Sequence, residues 1–226
     1  MKKCDTIRVK QLNDFKSLSE AARQKMLNAS ETLFLPKGSV LFKENQHLNK
    51  LYCIREGACK FSKLDHSGQE HILRFLGKGE LMGKRAMVTN NGAKVSATAL
   101  TDTKLCCFDK NEVLENLRTN ADFCNDLLSA FVEDANTNEH TRIIFCVHKG
   151  IKQRLARLLL YLTDKFGQHT NGKMRIRLKR EDMAAVLGTS QEYIINLLAR
   201  FRNAGFIKVE RSEIFILSKE GLQKSI

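Results

Sequence analysis

A group of hydrogen-bonding side chains near the carboxyl end of the chain carries the clearest chemical signal. Ser190, Gln191, Glu192, Tyr193 and Asn196 fall within seven positions. Glutamine and asparagine amides can make the two hydrogen bonds that identify adenine, and a glutamate can accept one from the amino group of cytosine. These residue types therefore suit the reading of base edges in the major groove of DNA, provided that one exposed helix presents them.

The element that would present these side chains has the spacing of two short helices packed across a tight turn, over residues 180–200. Ala184 is the small residue that allows a close approach, Gly188 supplies a left-handed turn, and Ile194 is the apolar residue that packs the second helix against the first. We therefore predict a helix-turn-helix. An αα-hairpin inside an enzyme would have the same spacing, so the motif alone leaves that alternative open.

The polar residues at the start of the second helix also have structural interpretations. Thr189 and Glu192 have the spacing of a capping box, so capping the helix is an alternative role for Glu192. Gln191 and Asn196 could instead be ordinary exposed polar residues.

Positive charge is concentrated in the same part of the chain. The formal net charge is +13, of which residues 149–226 carry +9 and residues 1–148 carry +4. This distribution predicts that the last third binds a polyanion, with an affinity that falls by a log–log slope of about −0.9 for each phosphate neutralised. The candidate phosphate contacts are Lys152, Lys173, Arg175, Arg177, Lys179, Arg180, Arg200 and Arg202.

The first half of the chain has the pattern of a β-domain. A helical lead-in over residues 11–29, with Ser19 as an N-cap, precedes short runs of strand-forming residues from Thr32 to about Asp109. Strands at this spacing, broken by glycine, asparagine and aspartate, predict a sandwich or barrel-like domain. The runs begin at Leu33, Val40, Leu51, Ala58, His71, Lys94 and Lys104.

Residues 110–148 return to helical character, first over 111–118 and then in a long helix from about Asn120. Apolar residues at both ends of the long helix, interrupted by polar residues 134–141, predict a dimer seam. A helix that is simply solvated in the middle is the alternative. The stripe comprises Phe123, Leu127, Phe131, Ile144 and Val147.

The remaining elements complete a DNA-binding domain. We predict a hinge at Gly150, an amphipathic helix over 151–162, a short strand over 174–178, the two helices, and a hairpin that turns through residues 211–213. Helix, strand, two helices and hairpin are the parts of a winged helix-turn-helix.

The cysteine pattern and the lack of long apolar runs indicate the cellular compartment of the protein. Seven cysteines without a Cys-x-x-Cys pair favour small buried thiols in a reducing cytosol. No segment reads as a signal peptide or reaches transmembrane length, so we expect a cytoplasmic protein without a membrane partner. Gly77-Lys78-Gly79 lacks the Lys-Ser/Thr of a Walker loop and no catalytic arrangement is evident, so an enzyme is disfavoured.

The order of these parts resembles the bacterial cyclic AMP receptor and fumarate–nitrate regulator (Crp/Fnr) superfamily of transcription factors over nearly the whole chain. The local motifs that agree are Leu35-Pro-Lys-Gly-Ser-Val-Leu-Phe, Tyr52-Cys-Ile-Arg-Glu-Gly, Gly79-Glu-Leu, Ile151-Lys-Gln-Arg-Leu-Ala and Leu187-Gly-Thr-Ser-Gln-Glu.

The resemblance implies an α+β fold in three parts. These are a cyclic-nucleotide-binding-like β-roll with flanking helices (1–118), a central dimerisation helix (119–148) and a winged helix-turn-helix (149–226). The implied partners are a second copy of the chain, double-stranded DNA with a palindromic site, and RNA polymerase. Because the family uses a Glu at the place of Glu192 in base reading, the resemblance implies that Glu192 both reads a base and caps the helix. Together with the charges and polar side chains described above, the candidate DNA-binding residues are Lys179, Arg180, Thr189, Ser190, Gln191, Glu192, Tyr193, Asn196 and Arg200. Receptor-like members usually have Arg at the positions of Gln191 and Asn196, which predicts a different half-site here.

The effector pocket departs from the family pattern. Nucleotide-binding members use Gly-Glu-Leu and a following Arg-Ser pair, and this chain has Val95 where the phosphate-binding Arg should be. A standard cyclic AMP sensor is therefore disfavoured, although a small-molecule effector is still expected. The candidate effector-binding residues are Gly79, Glu80, Leu81, Arg85, Ser96, Ala97, Glu139 and His140.

Other sensing chemistries in this family need ligands of their own. Cys4 is the only cysteine near the amino terminus, which disfavours the iron–sulfur cluster of the oxygen-sensing branch. Haem bound through His140 or His71 is an alternative, but the ligand position of the haem-binding carbon monoxide sensor is Arg85 here. A regulatory module that acts through protein–protein contacts is the other alternative.

Overall fold

A computed structural model describes residues 17–89, 91–142, 145 and 150–226. The chain forms two compact units. The first holds the described residues up to Phe61 together with Phe75–Thr137, and the second holds Ser62–Arg74 together with the described residues from Asn138 onward. The bounds of the three predicted parts of the chain remain predictions.

The first unit begins with helix α1 (Glu20–Ala29), where Ser19 Oγ accepts a hydrogen bond from Ala22 N at 3.2 Å. The predicted N-cap is confirmed, while residues 11–16 of the predicted lead-in lie outside the described part of the chain.

Eight strands follow, and their order forms two four-stranded sheets, β1-β8-β3-β6 and β2-β7-β4-β5. Each of the seven predicted runs contains a strand, and the two-residue strand β6 is the addition. The strands are β1 (Glu31–Leu35), β2 (Val40–Phe42), β3 (Lys50–Glu56), β4 (Cys59–Leu64), β5 (Glu70–Leu76), β6 (Leu81–Met82), β7 (Ser96–Ala99) and β8 (Thr103–Asp109). The predicted β-roll is confirmed.

Helices α2 (Lys84–Thr89), α3 (Lys110–Thr119) and α4 (Ala121–Arg142) complete the elements that begin in this unit. Phe123 at the start of α4 packs in a hydrophobic core with Leu51, Cys106 and Val113. Burial of such side chains is the main favourable contribution to folding.

The predicted dimer seam on α4 is contradicted at two of its residues. Phe123 and Leu127 are 0% and 4% exposed, so they pack within the chain, whereas Leu128 and Val132 are 57% and 60% exposed. An apolar period of three to four marks any buried helix face and does not identify what covers it. Ile144 and Val147 lie outside the described residues.

The second unit contains the carboxyl-terminal helices and a hairpin. Its elements are α5 (Ile151–Phe166), α6 (Arg180–Leu187), α7 (Gln191–Asn203), β9 (Ile207–Glu210), β10 (Glu213–Ile216) and α8 (Lys219–Lys224). Strands β9 and β10 pair antiparallel, which confirms the predicted wing. Gly150 is the N-cap residue of α5, and its role as a hinge remains a prediction.

The strand predicted over residues 174–178 does not form. Met174 makes an isolated bridge with Gln168, and the neighbouring Lys173 makes one with Phe215. Met174, Ile176 and Leu178 are each no more than 5% exposed. Alternating burial thus produced a strand-like sequence pattern without a continuous ladder.

Three cysteines fit the prediction of small buried thiols. Cys53, Cys59 and Cys107 are free and buried, and burial raises the pKa of Cys59 to about 12 and that of Cys107 to about 11. Cys106 is disulfide-bonded, so the prediction of a free thiol is wrong there. Cys4 and Cys146 lie outside the described residues.

No helix in the described part of the chain combines the length and apolar character needed to span a bilayer.

Candidate nucleic-acid interface

The turn between α6 and α7 forms as its sequence predicts. Gly188 has φ 61° and ψ 51°, the left-handed conformation that glycine adopts without a steric penalty. Its N–H donates to Ala184 O, which closes the end of α6. Ala184 is 6% exposed and Ile194 is fully buried, so both residues occupy the predicted contact between the two helices.

The cap of α7 differs from the prediction by one residue. Ser190 is the N-cap, and its Oγ accepts a hydrogen bond from Tyr193 N at 3.2 Å. The capping box predicted for Thr189 and Glu192 is therefore wrong, because the helix begins at Gln191 rather than at Ser190. Glu192 lies in the first turn of α7, where its negative charge interacts favourably with the helix dipole and so stabilises the helix.

Helix α7 separates a core face from an exposed face. Ile194, Leu197, Leu198 and Phe201 are buried, each no more than 3% exposed. The predicted base-reading and phosphate residues on the same helix are all exposed, namely Gln191, Glu192, Tyr193, Asn196 and Arg200. Ser190 is exposed and Thr189 is half-buried beside them. The structure thus presents the predicted polar set from α7 and the two residues that precede it.

An open groove of about 540 Å³ runs between α7, the segment that leads into α6, and the turn of the wing. Its lining combines basic side chains with apolar ones. The basic residues are Arg177, Lys179, Arg180, Arg202 and Arg211. The apolar residues are Leu178, Ile195, Leu198, Ala199 and Val209, and Gln191, Glu181 and Ser212 complete the lining.

The groove gathers only part of the predicted phosphate-binding set. Lys152, Lys173, Arg175 and Arg200 do not line it, and Lys173 forms an ion pair with Glu213 at 2.6 Å. Ile195 and Arg211 line the groove but are absent from the set predicted from sequence. Arg211 adopts φ 55° in the two-residue wing turn, and the predicted turn over 211–213 was the available signal.

Electrostatics within the groove favour an anionic partner. Burial lowers the pKa of Arg180, and repulsion from Arg177 lowers it further. An anion bound between two guanidinium groups offsets their mutual repulsion, so their proximity favours anion binding. Lys179 Nζ lies 2.8 Å from Glu181 Oε1, and this hydrogen bond raises the pKa of Lys179.

In the first unit, the predicted effector segment makes its hydrogen bonds within the chain. Glu80 Oε2 accepts from Gly77 N at 2.6 Å, and Gly79 N donates to Ile54 O at 2.8 Å. Leu81 pairs with Cys53 on β3. The Glu80 carboxylate and the Gly79 amide are therefore engaged by the fold itself.

The second predicted effector segment lies on and before β7. Ser96 Oγ accepts from Glu44 N at 3.0 Å, and Ala97 is fully buried. Val95 packs against the cluster that contains Ala97 and Met82, so position 95 contributes an apolar contact. Leu81, from the first segment, belongs to the other hydrophobic cluster, with Leu51 and Phe123, so the two segments do not share one core cluster.

The other candidate effector residues are placed unevenly. Arg85 on α2 and Glu139 on α4 are exposed, and the side chain of His140 lies outside the described residues. His71 Nε2 lies 2.8 Å from Asp65 Oδ2 within the hairpin of β4 and β5. The Asp65 carboxylate also accepts from Ser67 and Gln69, so His71 has a structural role in this turn.

Comparison with known proteins gives the family. Residues 32–120 match the cyclic nucleotide-binding domain, and residues 153–225 match the Crp-like helix-turn-helix domain. The chain is 22% identical over 212 residues to a CRP-like cAMP-activated global transcriptional regulator of Mycobacterium tuberculosis, covering 93% of this chain and 94% of that protein. It is 28% identical over 192 residues to the fumarate and nitrate reduction regulatory protein of Vibrio cholerae, covering 84% and 76%.

The fold has the same affiliation. The structure of FixK2 from Bradyrhizobium japonicum superposes with a TM-score of 0.76 at 17% identity, covering 86% of this chain and 96% of that one. Two family domains in the same order, regulators as relatives over most of their length, and a shared fold agree with one another. The chain therefore belongs to the Crp/Fnr superfamily of transcription regulators.

Proposed function

We propose that the protein is a homodimer that binds a palindromic double-stranded DNA site and responds to a small effector in its β-roll. The observation that carries this proposal is the exposed polar face of α7 beside a groove with five basic side chains. Base-reading groups and phosphate-binding groups on adjacent surfaces are what a major-groove reader requires.

The contacts divide into two classes. Glu192 is placed to accept from a cytosine amino group, and Gln191 or Asn196 to make paired hydrogen bonds with adenine. Arg177, Arg180 and the other groove cations bind phosphates and set the register, and Arg200, exposed on α7, is a further phosphate contact. Ser190 caps the helix that carries the readers.

The proposed dimer contact lies on the exposed face of α4. Members of this superfamily are dimers, and Leu128 and Val132 are four residues apart, on one helix face and more than half exposed. Two copies of this face would bury apolar area that is otherwise hydrated. A two-fold axis between two reading helices implies a palindromic site.

The proposed effector is not cyclic AMP bound in the usual manner. Val95 offers neither charge nor a hydrogen-bond donor to a phosphate, and the Glu80 carboxylate accepts from Gly77 N. Lys84, the first residue of α2, pairs with Asp134 instead of facing an open site. Arg85 and Glu139 are the exposed polar residues from the predicted set that a different effector could use.

Selection of bound sites from a pool of random duplexes tests the proposal. The expected result is enrichment of a site with two-fold symmetry by the full-length protein. Failure to enrich any sequence at about 100 mM salt, where non-specific binding is weakened, would contradict it.

A further inference from the structure

Ile195 stands out on the exposed face of α7. Its side chain is 47% exposed, although it is branched and wholly apolar. Gln191 lies one turn before it and Ala199 one turn after it, and all three line the groove. Helix α7 therefore presents an apolar side chain to solvent that is not part of the hydrophobic core.

The major groove of DNA offers one apolar group that distinguishes a base. The C5 methyl group of thymine projects there, and apolar side chains contact it, whereas cytosine, adenine and guanine present only donors and acceptors. When such a methyl group covers an apolar side chain that is exposed in the free protein, apolar area is removed from water and the free energy of binding becomes more favourable.

We propose that Ile195 reads the C5 methyl group of a thymine in each half-site, which makes it a specificity-determining residue. This inference rests on the DNA-binding function proposed above. Gln191, on the same helix face, has the amide that pairs with adenine, so the two residues together favour A·T pairs where the first two turns of α7 lie. The side chain could instead pack on deoxyribose, and the experiment separates these contacts.

The test removes the methyl group alone. After site selection, each thymine of the half-site is replaced in turn by uracil, symmetrically in both half-sites, and duplex affinity is measured for the wild type and Ile195→Ala. At one thymine position the wild type should lose about fourfold per half-site, the ratio expected for covering one methyl group. Ile195→Ala should bind the thymine and uracil duplexes equally.

A matched control is Leu217→Ala, which truncates another exposed aliphatic side chain outside the groove lining. This variant should keep the wild-type preference for thymine over uracil. Equal wild-type affinity for every uracil-substituted duplex would overturn the inference, as would a thymine preference that survives in Ile195→Ala. If the protein selects no site, the proposed function is overturned as well. If it selects a site but binds the thymine and uracil duplexes with equal affinity, only the role of Ile195 is overturned.

Discussion

Lys84 Nζ lies 2.8 Å from Asp134 Oδ2 and so joins α2 to α4. The lysine side chain is 7% exposed and the aspartate 28%, and the ammonium group also lies 5.9 Å from the centre of the Phe131 ring. Helix α2 directly follows the Gly79-Glu80-Leu81 segment, and α4 carries the exposed Leu128 and Val132. The ion pair thus connects the predicted effector segment to the helix of the proposed dimer contact.

Asp134→Asn should destabilise the protein by about 2 kcal/mol, because it leaves the nearly buried Lys84 charge without its carboxylate partner. A fully buried pair would give a larger loss, but Asp134 is partly hydrated. Urea unfolding measures the change. Glu56→Gln removes the carboxylate from an exposed pair with Lys104 and should change stability little. Equal effects of the two substitutions would contradict the role assigned to burial.

Ser190→Ala should lower the stability of the helix-turn-helix by about 1 kcal/mol, the usual effect of losing an N-cap hydrogen bond. Thr189→Ala is the neighbouring control and should have a smaller effect, because the Ser190 hydroxyl caps the helix. Thermal unfolding of both variants decides between the observed cap and the capping box expected from sequence. The reverse order of effects would show that Thr189 is the cap.

Leu128→Glu should convert the dimer to a monomer, because it places a charge on each side of the proposed α4 contact. Leu217→Glu introduces the same charge at a leucine of nearly the same exposure, 58% against 57%, and should leave the dimer intact. Sedimentation analysis of both variants reports the mass directly. A Leu128→Glu protein that remains dimeric would place the dimer contact elsewhere.

Arg211→Ala should reduce the salt dependence of DNA binding by about one phosphate per half-site, a change in the log–log slope of about 0.9 per half-site and about 1.8 for the dimer. The residue lines the groove from the wing turn. Lys224→Ala removes one charge from α8, outside the groove lining, and should leave the slope unchanged. An unchanged slope for Arg211→Ala would remove the wing turn from the interface.

Local patterns predicted the turn and the reading helix well. The positions of Ala184, Gly188 and Ile194 depend only on the geometry of two adjacent helices, so a short stretch of sequence contains the information. The cap was misplaced because Thr189 and Ser190 can both accept the hydrogen bond, and only the start of α7 decides between them.

Features that depend on distant residues were missed. Nothing in the spacing of Lys84 and Asp134, fifty positions apart, indicates that they pair. The apolar period of α4 was visible, but the partner of Phe123 and Leu127 is the core of the same chain. Ile195 escaped attention because an isoleucine in a helix is usually buried, and only the structure shows it on the exposed face.

The central claim is that the exposed face of α7 reads sequence in DNA. Its most direct test is the ratio of affinities for the selected duplex and a scrambled duplex, measured by fluorescence anisotropy for the wild type, Glu192→Ala and Asn203→Ala. Asn203 ends α7 outside the groove lining and serves as the control. We expect Glu192→Ala to reduce the ratio by about tenfold or more without weakening scrambled-duplex binding, because no phosphate contact is lost, and Asn203→Ala to preserve the ratio. A wild-type ratio near one, or a ratio that Glu192→Ala leaves intact, would contradict it.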